Sequence, residues 1–156
     1  MITVKIICVG KLKEAFYQMA AEEYQKRLQP FCKLHIHELS EYRLPANPSP
    51  AQIRQGLVQE EKQILKYATG KIVPLCIEGR QTSSEELAQL LADTMQTPGT
   101  VSFLIGSSFG LSEEVKRKGS GISMSRMTFP HGLARVLLTE QLYRGFQILN
   151  GAKYHK

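Results

Sequence analysis

Apolar residues along this chain keep two alternating rhythms. Ile2 to Val9 is a nearly continuous apolar run of strand length, broken at Gly10. From Glu14 to Leu28 the rhythm changes. Phe16, Met19, Ala20, Tyr24 and Leu28 recur every three or four residues, which predicts a helix ended by Pro30. Lys33 to Leu39 alternates again as a strand, with Leu34 and Ile36 on one face and His35 and His37 on the other. Tyr42 to Pro50 holds three prolines and an asparagine and reads as a loop. A second helix is expected from about Ser49 to Tyr67, carrying Ile53, Leu57, Ile64 and Leu65, with Gly70 as its C′ residue.

The second half repeats the scheme. Ile72 to Ile77 reads as a strand, and Pro74 inside it removes a ladder donor, which suggests an edge, a bulge or an irregular end. Glu78-Gly79-Arg80 reads as a turn. Ser83 or Ser84 caps a helix running to about Met95, and Thr97-Pro98-Gly99 is a further turn. Val101 to Ile105 is a buried strand stopped by Gly106-Ser-Ser-Phe-Gly110. Ser112 caps a short helix through Lys118, and Gly119 to Gly121 is flexible. A short strand lies within Ile122 to Phe129. Thr128 and Pro130 then open a last helix, with the proline in its first turn. Strands alternating with helices about five times predict an α/β fold: a mainly parallel sheet with helices on both faces, in one domain over residues 1–156.

Charge sharpens this picture at one end. The chain carries a net +6, yet residues 1–115 are nearly neutral, with 12 basic and 13 acidic residues. Residues 116–156 hold eight basic residues (Lys116, Arg117, Lys118, Arg126, Arg135, Arg144, Lys153, Lys156) against Glu140 alone. Such a concentration suits either a polyanionic partner, most simply RNA or DNA, or a solvated basic face. No apolar run is long enough to span a bilayer, and the N-terminus lacks the features of a signal peptide. A cytosolic protein is expected. Cys8, Cys32 and Cys76 are odd in number, far apart, and read as small buried hydrophobes in a reducing compartment.

In open parallel sheets, ligands bind beyond the C-terminal ends of the strands. Three such ends are distinctive here: Leu75-Cys-Ile-Glu-Gly-Arg80, Leu104-Ile-Gly-Ser-Ser-Phe-Gly-Leu111 and Ser125-Arg-Met-Thr-Phe-Pro130. The middle one matches neither phosphate-binding glycine pattern, and taken alone it reads as a plain tight turn rather than a ligand site. His35 and His37 share a strand face, but no third ligand accompanies them, so no metal site is expected. His131 stands at a helix start, where the dipole favours a neutral imidazole: a base, or a satisfied capping residue. Glu140 and Arg144 lie one helical turn apart and pair. Ala134, Leu137, Leu138, Leu142, Phe146 and Leu149 form the apolar stripe of the last helix, a core or subunit interface. Arg135 and Arg144 lie off it and can meet phosphates.

Several of these segments carry a resemblance that spans the whole chain. They are the opening Met1-Ile-Thr-Val-Lys-Ile-Ile-Cys-Val-Gly-Lys-Leu-Lys13, the Ile105-Gly106 turn ending in Gly110-Leu111, and Met127-Thr-Phe-Pro-His131. The helix Arg135-Val-Leu-Leu-Thr-Glu-Gln-Leu-Tyr-Arg144 and the terminal Tyr154-His155-Lys156 complete the set. Together they resemble the ribosomal RNA large subunit methyltransferase H family, small bacterial SPOUT enzymes that methylate N3 of a pseudouridine in 23S rRNA. The resemblance implies a SPOUT-type α/β fold with a C-terminal trefoil knot, an exception to the rule against threaded chains. It also implies a homodimer acting on 23S rRNA within the ribosome, with S-adenosyl-L-methionine bound in the knot.

By the same resemblance, cofactor contacts fall at Leu75, Gly106, Ser107, Ser125, Arg126, Met127, Thr128, Phe129 and Pro130. The catalytic candidates are His131, Glu140, Arg144, Tyr154 and His155, with the tail of one protomer completing the site of the other. Arg135, Lys153 and Lys156 are the candidate RNA contacts. Relatives usually have Gly-Gly where this chain has Gly106-Ser107. If the second position takes positive φ or lies against the cofactor, serine is strained there and cofactor affinity falls. Two other functions compete: a SPOUT methyltransferase for another RNA such as tRNA, and a non-catalytic ribosome-associated RNA-binding protein. A flavodoxin-like nucleotide-binding domain ranks below them, because no phosphate-binding fingerprint is present.

Overall fold

The structure, a computed structural model, describes residues 1–96 and 99–156. Of the turn expected at Thr97-Pro98-Gly99, only Gly99 falls within the described residues. Ten elements follow one another: β1 (Ile2–Val9), α1 (Ala15–Leu28), β2 (Cys32–Leu39), α2 (Pro50–Tyr67), β3 (Lys71–Gln81), α3 (Ser84–Gln96), β4 (Thr100–Ile105), α4 (Glu113–Arg117), β5 (Ile122–Ser123) and α5 (His131–Leu149). The strands form one sheet in the order β2-β1-β4-β3-β5. Every strand pair among the described residues is parallel.

The continuous apolar run of β1 exists because both of its faces are covered. Val4, Ile6 and Cys8 point into a core closed by Leu28 of α1, Leu87 and Leu91 of α3, and Leu138, Leu142 and Phe146 of α5. Ile7 and Val9 point the other way, towards Leu104 of β4, Ile64 of α2 and Val115 of α4. Three helices thus cover one face and two the other, as the alternation of elements predicts.

Hydroxyl caps set the starts of α2, α3 and α4. Ser49 caps α2 in a capping box: its Oγ accepts from Gln52 N at 3.2 Å, and Ser49 N donates to Gln52 Oε1 at 2.8 Å. Ser83 and Glu86 repeat the arrangement at α3, and Ser112 Oγ accepts from Val115 N at α4. Two boundaries shift by one residue from expectation. Ala68 is the C-cap of α2, so Gly70 lies one position beyond C′. Pro130 is the N-cap of α5 rather than a residue of its first turn.

A larger difference concerns Glu78-Gly79-Arg80, which is strand and not turn. β3 pairs with β4 only as far as Pro74. It then continues beside β5, pairing at Leu75 and, after a register shift, at Arg80 and Gln81. Arg80 N donates to Gly121 O and Thr82 N to Ser123 O, both at 3.1 Å. Gly79 permits this approach: a Cβ there would sit 2.8 Å from backbone carbons of Gly121 and Ile122. Glycine here marks two backbones in contact, a role the sequence pattern does not separate from a turn.

Candidate active site

The last helix organises two distinct groups of functional residues, one at each end. Around its N-terminus lies a cleft of about 750 Å³, where β4 ends and β3 parts from β4. Eight of the nine expected cofactor residues line it: Leu75, Gly106, Ser107, Ser125, Met127, Thr128, Phe129 and Pro130. Arg126 lies outside it, exposed, on a neighbouring cavity that shares Ser125 and Met127. The volume falls within the range of small-molecule sites. Leu75, Ile77, Phe109 and Met127 offer apolar contact. At another edge Lys116 is held by ion pairs to Glu78 and, at 3.4 Å, to Glu113. The bond to Glu78 raises the pKa of Lys116, and the Lys116 ammonium in turn lowers that of Glu78. Burial pushes up the Cys76 thiol on the same wall, so it lines the cleft as a neutral group. A lining of aliphatic, aromatic and thioether groups with polar backbone and a charged edge fits S-adenosyl-L-methionine, whose adenine needs apolar faces and whose amino-acid end needs polar partners.

The Gly106-Ser107 turn is tightly built. A Cβ on Gly106 would lie 2.3 Å from Gly110 O, so only glycine fits. Ser107 is different. Among the described residues no non-glycine residue has positive φ, and the left-handed position of this turn is Gly110, at +81°. Ser107 is nearly buried, and its Oγ donates to Glu60 Oε1 at 3.1 Å. The second carboxylate oxygen of Glu60 accepts from Tyr42 N at 2.9 Å. Burial pushes the Glu60 carboxyl above its ordinary range, against these two bonds. The strain expected of serine at this position is therefore absent.

His131 opens α5 and lines the cleft. Its ring and the Glu41 carboxylate both close over Gly10: a Cβ there would lie 3.0 Å from His131 Cε1 and 3.3 Å from Glu41 Oε1.

Four of the five catalytic candidates meet at the other end of the helix. Glu140 Oε1 accepts from Arg144 Nε at 3.0 Å, from Arg144 NH2 at 2.6 Å and from the Tyr154 hydroxyl at 3.0 Å. The Arg144 guanidinium also lies over the Tyr154 ring, 4.8 Å from its centroid. Arg144 NH1 contacts His155 Nδ1 at 3.2 Å, and His155 Nε2 contacts Glu85 Oε1 at 2.7 Å. Arginine only donates, so Nδ1 carries the lone pair and Nε2–H donates to Glu85. Burial first, and the bond to Glu140 second, push the Tyr154 hydroxyl up to about 12. The same carboxylate raises the pKa of Arg144.

His131 stands apart from this cluster. Glu140 and Arg144 follow it by nine and thirteen residues, which is about 14 and 20 Å along a helix. Within one chain the cleft and the cluster are not one site.

The basic C-terminal quarter is less free than its composition suggests. Lys116, Arg117 and Lys118 pair with Glu78, Glu113 and Glu114. Arg135 is buried, only 7% exposed, with NH1 2.5 Å from Glu38 Oε2, and its Nε has no hydrogen-bond partner among the described residues. It faces the protein, away from any phosphate. The reason lies in the buried arc of α5: Gly132, Arg135, Leu138, Thr139, Leu142, Gly145 and Phe146 face α1 and α3, while Leu149 is exposed. Lys153 and Lys156 are exposed, and among the described residues neither they nor Arg126 form an ion pair.

Sequence reasoning missed the acids. Glu38, Glu60 and Glu85 come from the nearly neutral part of the chain, yet they bond to Arg135, Ser107 and His155, and Glu41 stands with His131 over Gly10. Contacts across 47 to 97 residues leave no periodic trace. Only Glu60 carries a signal, since Gly56, Glu60 and Ile64 recur at four-residue spacing on the buried face of α2.

Comparison with known proteins places this chain in a family over nearly its whole length. The family model described as "Predicted SPOUT methyltransferase" matches residues 2–155. The chain is similar to "Ribosomal RNA large subunit methyltransferase H" of Ligilactobacillus salivarius, with 46% identity, covering 98% of this chain and 99% of that protein. The proteins of the same name from Clostridium novyi and Streptococcus uberis are 42% and 41% identical at the same coverage. This chain belongs to the SPOUT methyltransferases and, within them, to the ribosomal RNA large subunit methyltransferase H family. Among solved structures, a methylase family protein from Neisseria gonorrhoeae superposes with a TM-score of 0.54 at 13% identity, covering 90% of this chain and 81% of that one. One from Haemophilus influenzae gives 0.51 at 12% identity, over 95% and 66%. These two share the fold.

Proposed function

We propose that this protein methylates N3 of a pseudouridine in 23S rRNA, as a cytoplasmic homodimer acting on the ribosome, with S-adenosyl-L-methionine held in the knotted cleft. The single observation that carries the reading is the separation of the cleft from the Glu140–Arg144–Tyr154–His155 cluster. Methyl transfer is an in-line displacement that needs donor, acceptor and catalytic groups within contact distance. One chain holds them at opposite ends of α5, so a partner's tail has to complete each cleft.

S-adenosyl-L-methionine, when bound, supplies a methyl group on a positively charged sulfur. The protein's own residues must then place the pyrimidine edge and manage the N3 proton. Arg144, fixed by two hydrogen bonds to Glu140, offers preorganised positive charge to a ring that becomes anionic as its proton leaves. Tyr154, with its hydroxyl near 12, acts as a donor and not as a base. Both ring nitrogens of His155 are engaged. His131, in the cleft itself, is the side chain left to accept the proton.

Mass spectrometry of 23S rRNA from cells lacking this protein is expected to show one pseudouridine without its methyl group, restored by the wild-type gene. An unchanged methylation map overturns the reading, and loss of a methyl group from tRNA redirects it.

A further inference from the structure

Beside the cofactor cleft lies a second cavity of about 600 Å³, walled by the 41–48 loop and by α2. The two cavities share Ser107 and Phe109 as a common wall. Two exposed cations, Lys13 and Arg43, stand on its lining, and neither forms an ion pair among the described residues. Two aromatic rings also face it. Tyr42 is 39% exposed and Phe109 47%, far from the burial that aromatics of this size seek in a core. The lining thus brings together two cations, two aromatic faces and the carboxylates of Glu41 and Glu60.

The Tyr42 ring is held in place. Its Cδ1 would lie 3.1 Å from a Cβ on Gly56, so the ring packs directly on the α2 backbone. Its own N–H is tied to Glu60, which also holds Ser107 on the cofactor turn. One buried carboxylate therefore fixes both the aromatic platform and the wall facing the cofactor. It accepts two hydrogen bonds and has lone pairs to spare, which favours a ring edge bearing N–H donors.

Resting on the rRNA methyltransferase reading above, we infer that this cavity binds an unstacked pyrimidine nucleotide of the RNA substrate. Tyr42 and Phe109 stack on bases, and Lys13 and Arg43 take the flanking phosphates. An enzyme that acts on a base must draw it out of the stack, and aromatic platforms with nearby cations receive such bases. The shared wall puts the bound nucleotide next to the donor. Pseudouridine suits the carboxylate because its ring offers N1–H, a donor uridine lacks, and a bond there leaves N3 free for the methyl group.

The test uses full-length protein and intact ribosomes, with Tyr42→Ala and Arg43→Ala. Arg43 is exposed, so its variant should melt like wild type; the Tyr42 ring packs on α2, so its variant should melt somewhat lower, and binding is compared where both variants are folded. Each variant is expected to lose on the order of tenfold in ribosome affinity. Tyr42→Ala should leave the dependence of log affinity on log salt unchanged, whereas Arg43→Ala should lower its slope by roughly one phosphate's worth. Calorimetry with S-adenosyl-L-methionine should give wild-type affinity for both. Wild-type ribosome binding by both variants, or a parallel loss of cofactor affinity, overturns the inference. Because binding is read without methylation, the two readings fail separately: wild-type protein that binds ribosomes through Tyr42 and Arg43 but transfers no methyl group breaks only the functional one.

Discussion

The two ends of α5 use one helix for opposite purposes. At its N-terminus the cleft is made of glycine, backbone and apolar side chains, and it stays open. At its C-terminus Glu140, Arg144, Tyr154 and His155 satisfy one another and close up. Recognising a small molecule requires room and a few donors. Stabilising a charge that appears only during reaction requires dipoles fixed beforehand. With both on one helix but far apart, the proposed reaction needs a second protomer, and its rate is expected to depend on dimerisation.

The largest effect expected is at the closed end. Arg144→Ala should slow single-turnover methylation of ribosomes about 10²- to 10³-fold, the usual cost of losing one preorganised donor. Cofactor affinity by calorimetry should stay within about twofold, because the proposed role of Arg144 is toward the base that becomes anionic and not toward the cofactor. A parallel loss of cofactor binding would mean that Arg144 holds the cofactor as well.

The middle of the helix comes next. Glu38→Ala strands the Arg135 guanidinium, whose side chain is 8% exposed while that of Glu38 is 34%. Removing one partner of a buried pair costs several kcal/mol. The exposure of Glu38 puts this case near the low end, roughly 2–3 kcal/mol by urea denaturation. A loss under about 0.5 kcal/mol would show that water reaches Arg135 once Glu38 is gone.

How much of this the sequence discloses depends on the range of the interaction. Strands, helices and caps are legible because their causes lie within four residues: the apolar run of β1, the Ser49–Gln52 box, the Ser112 cap. The residues that line the cleft are legible because strand ends and glycine turns are local. Gly79 misleads, since a glycine that lets two backbones touch looks the same as one in a turn. Arg135 misleads for a related reason. The buried arc of α5 includes Gly132, Thr139 and Gly145, which no count of apolar residues detects. Glu38, Glu60 and Glu85, which hold Arg135, Ser107 and His155, lie 47 to 97 residues from them in sequence, so a basic C-terminal quarter looks freer than it is.

At the open end, Gly106→Ala should weaken cofactor binding about tenfold or more, because the added methyl group meets backbone at 2.3 Å and the turn must move. Ser107→Gly should change it less than about threefold, since Ser107 holds ordinary φ and turns its hydroxyl to Glu60. Calorimetry on both variants separates a turn that needs one glycine from a turn that needs two. Equal losses would mean that Ser107 touches the cofactor directly.

The smallest effect lies at the closed end and depends on pH. Tyr154 has a folded pKa of about 12 against an ordinary 10.0. The folded state therefore holds this proton more tightly than the unfolded chain does. Its contribution to stability is complete below about pH 10 and is lost as pH rises through 12. Since the hydroxyl is only partly shielded from solvent, the loss should be a few tenths of a kcal/mol. Urea midpoints measured on either side of the ordinary tyrosine value should fall further for wild type than for Tyr154→Phe, which subtracts the background from the other tyrosines. The same pair should differ in rate at neutral pH, where the hydroxyl is fully protonated and acts only as a donor. If the wild-type rate rises with ionisation of this phenol, Tyr154 is a base and the closed cluster does proton transfer as well as charge stabilisation.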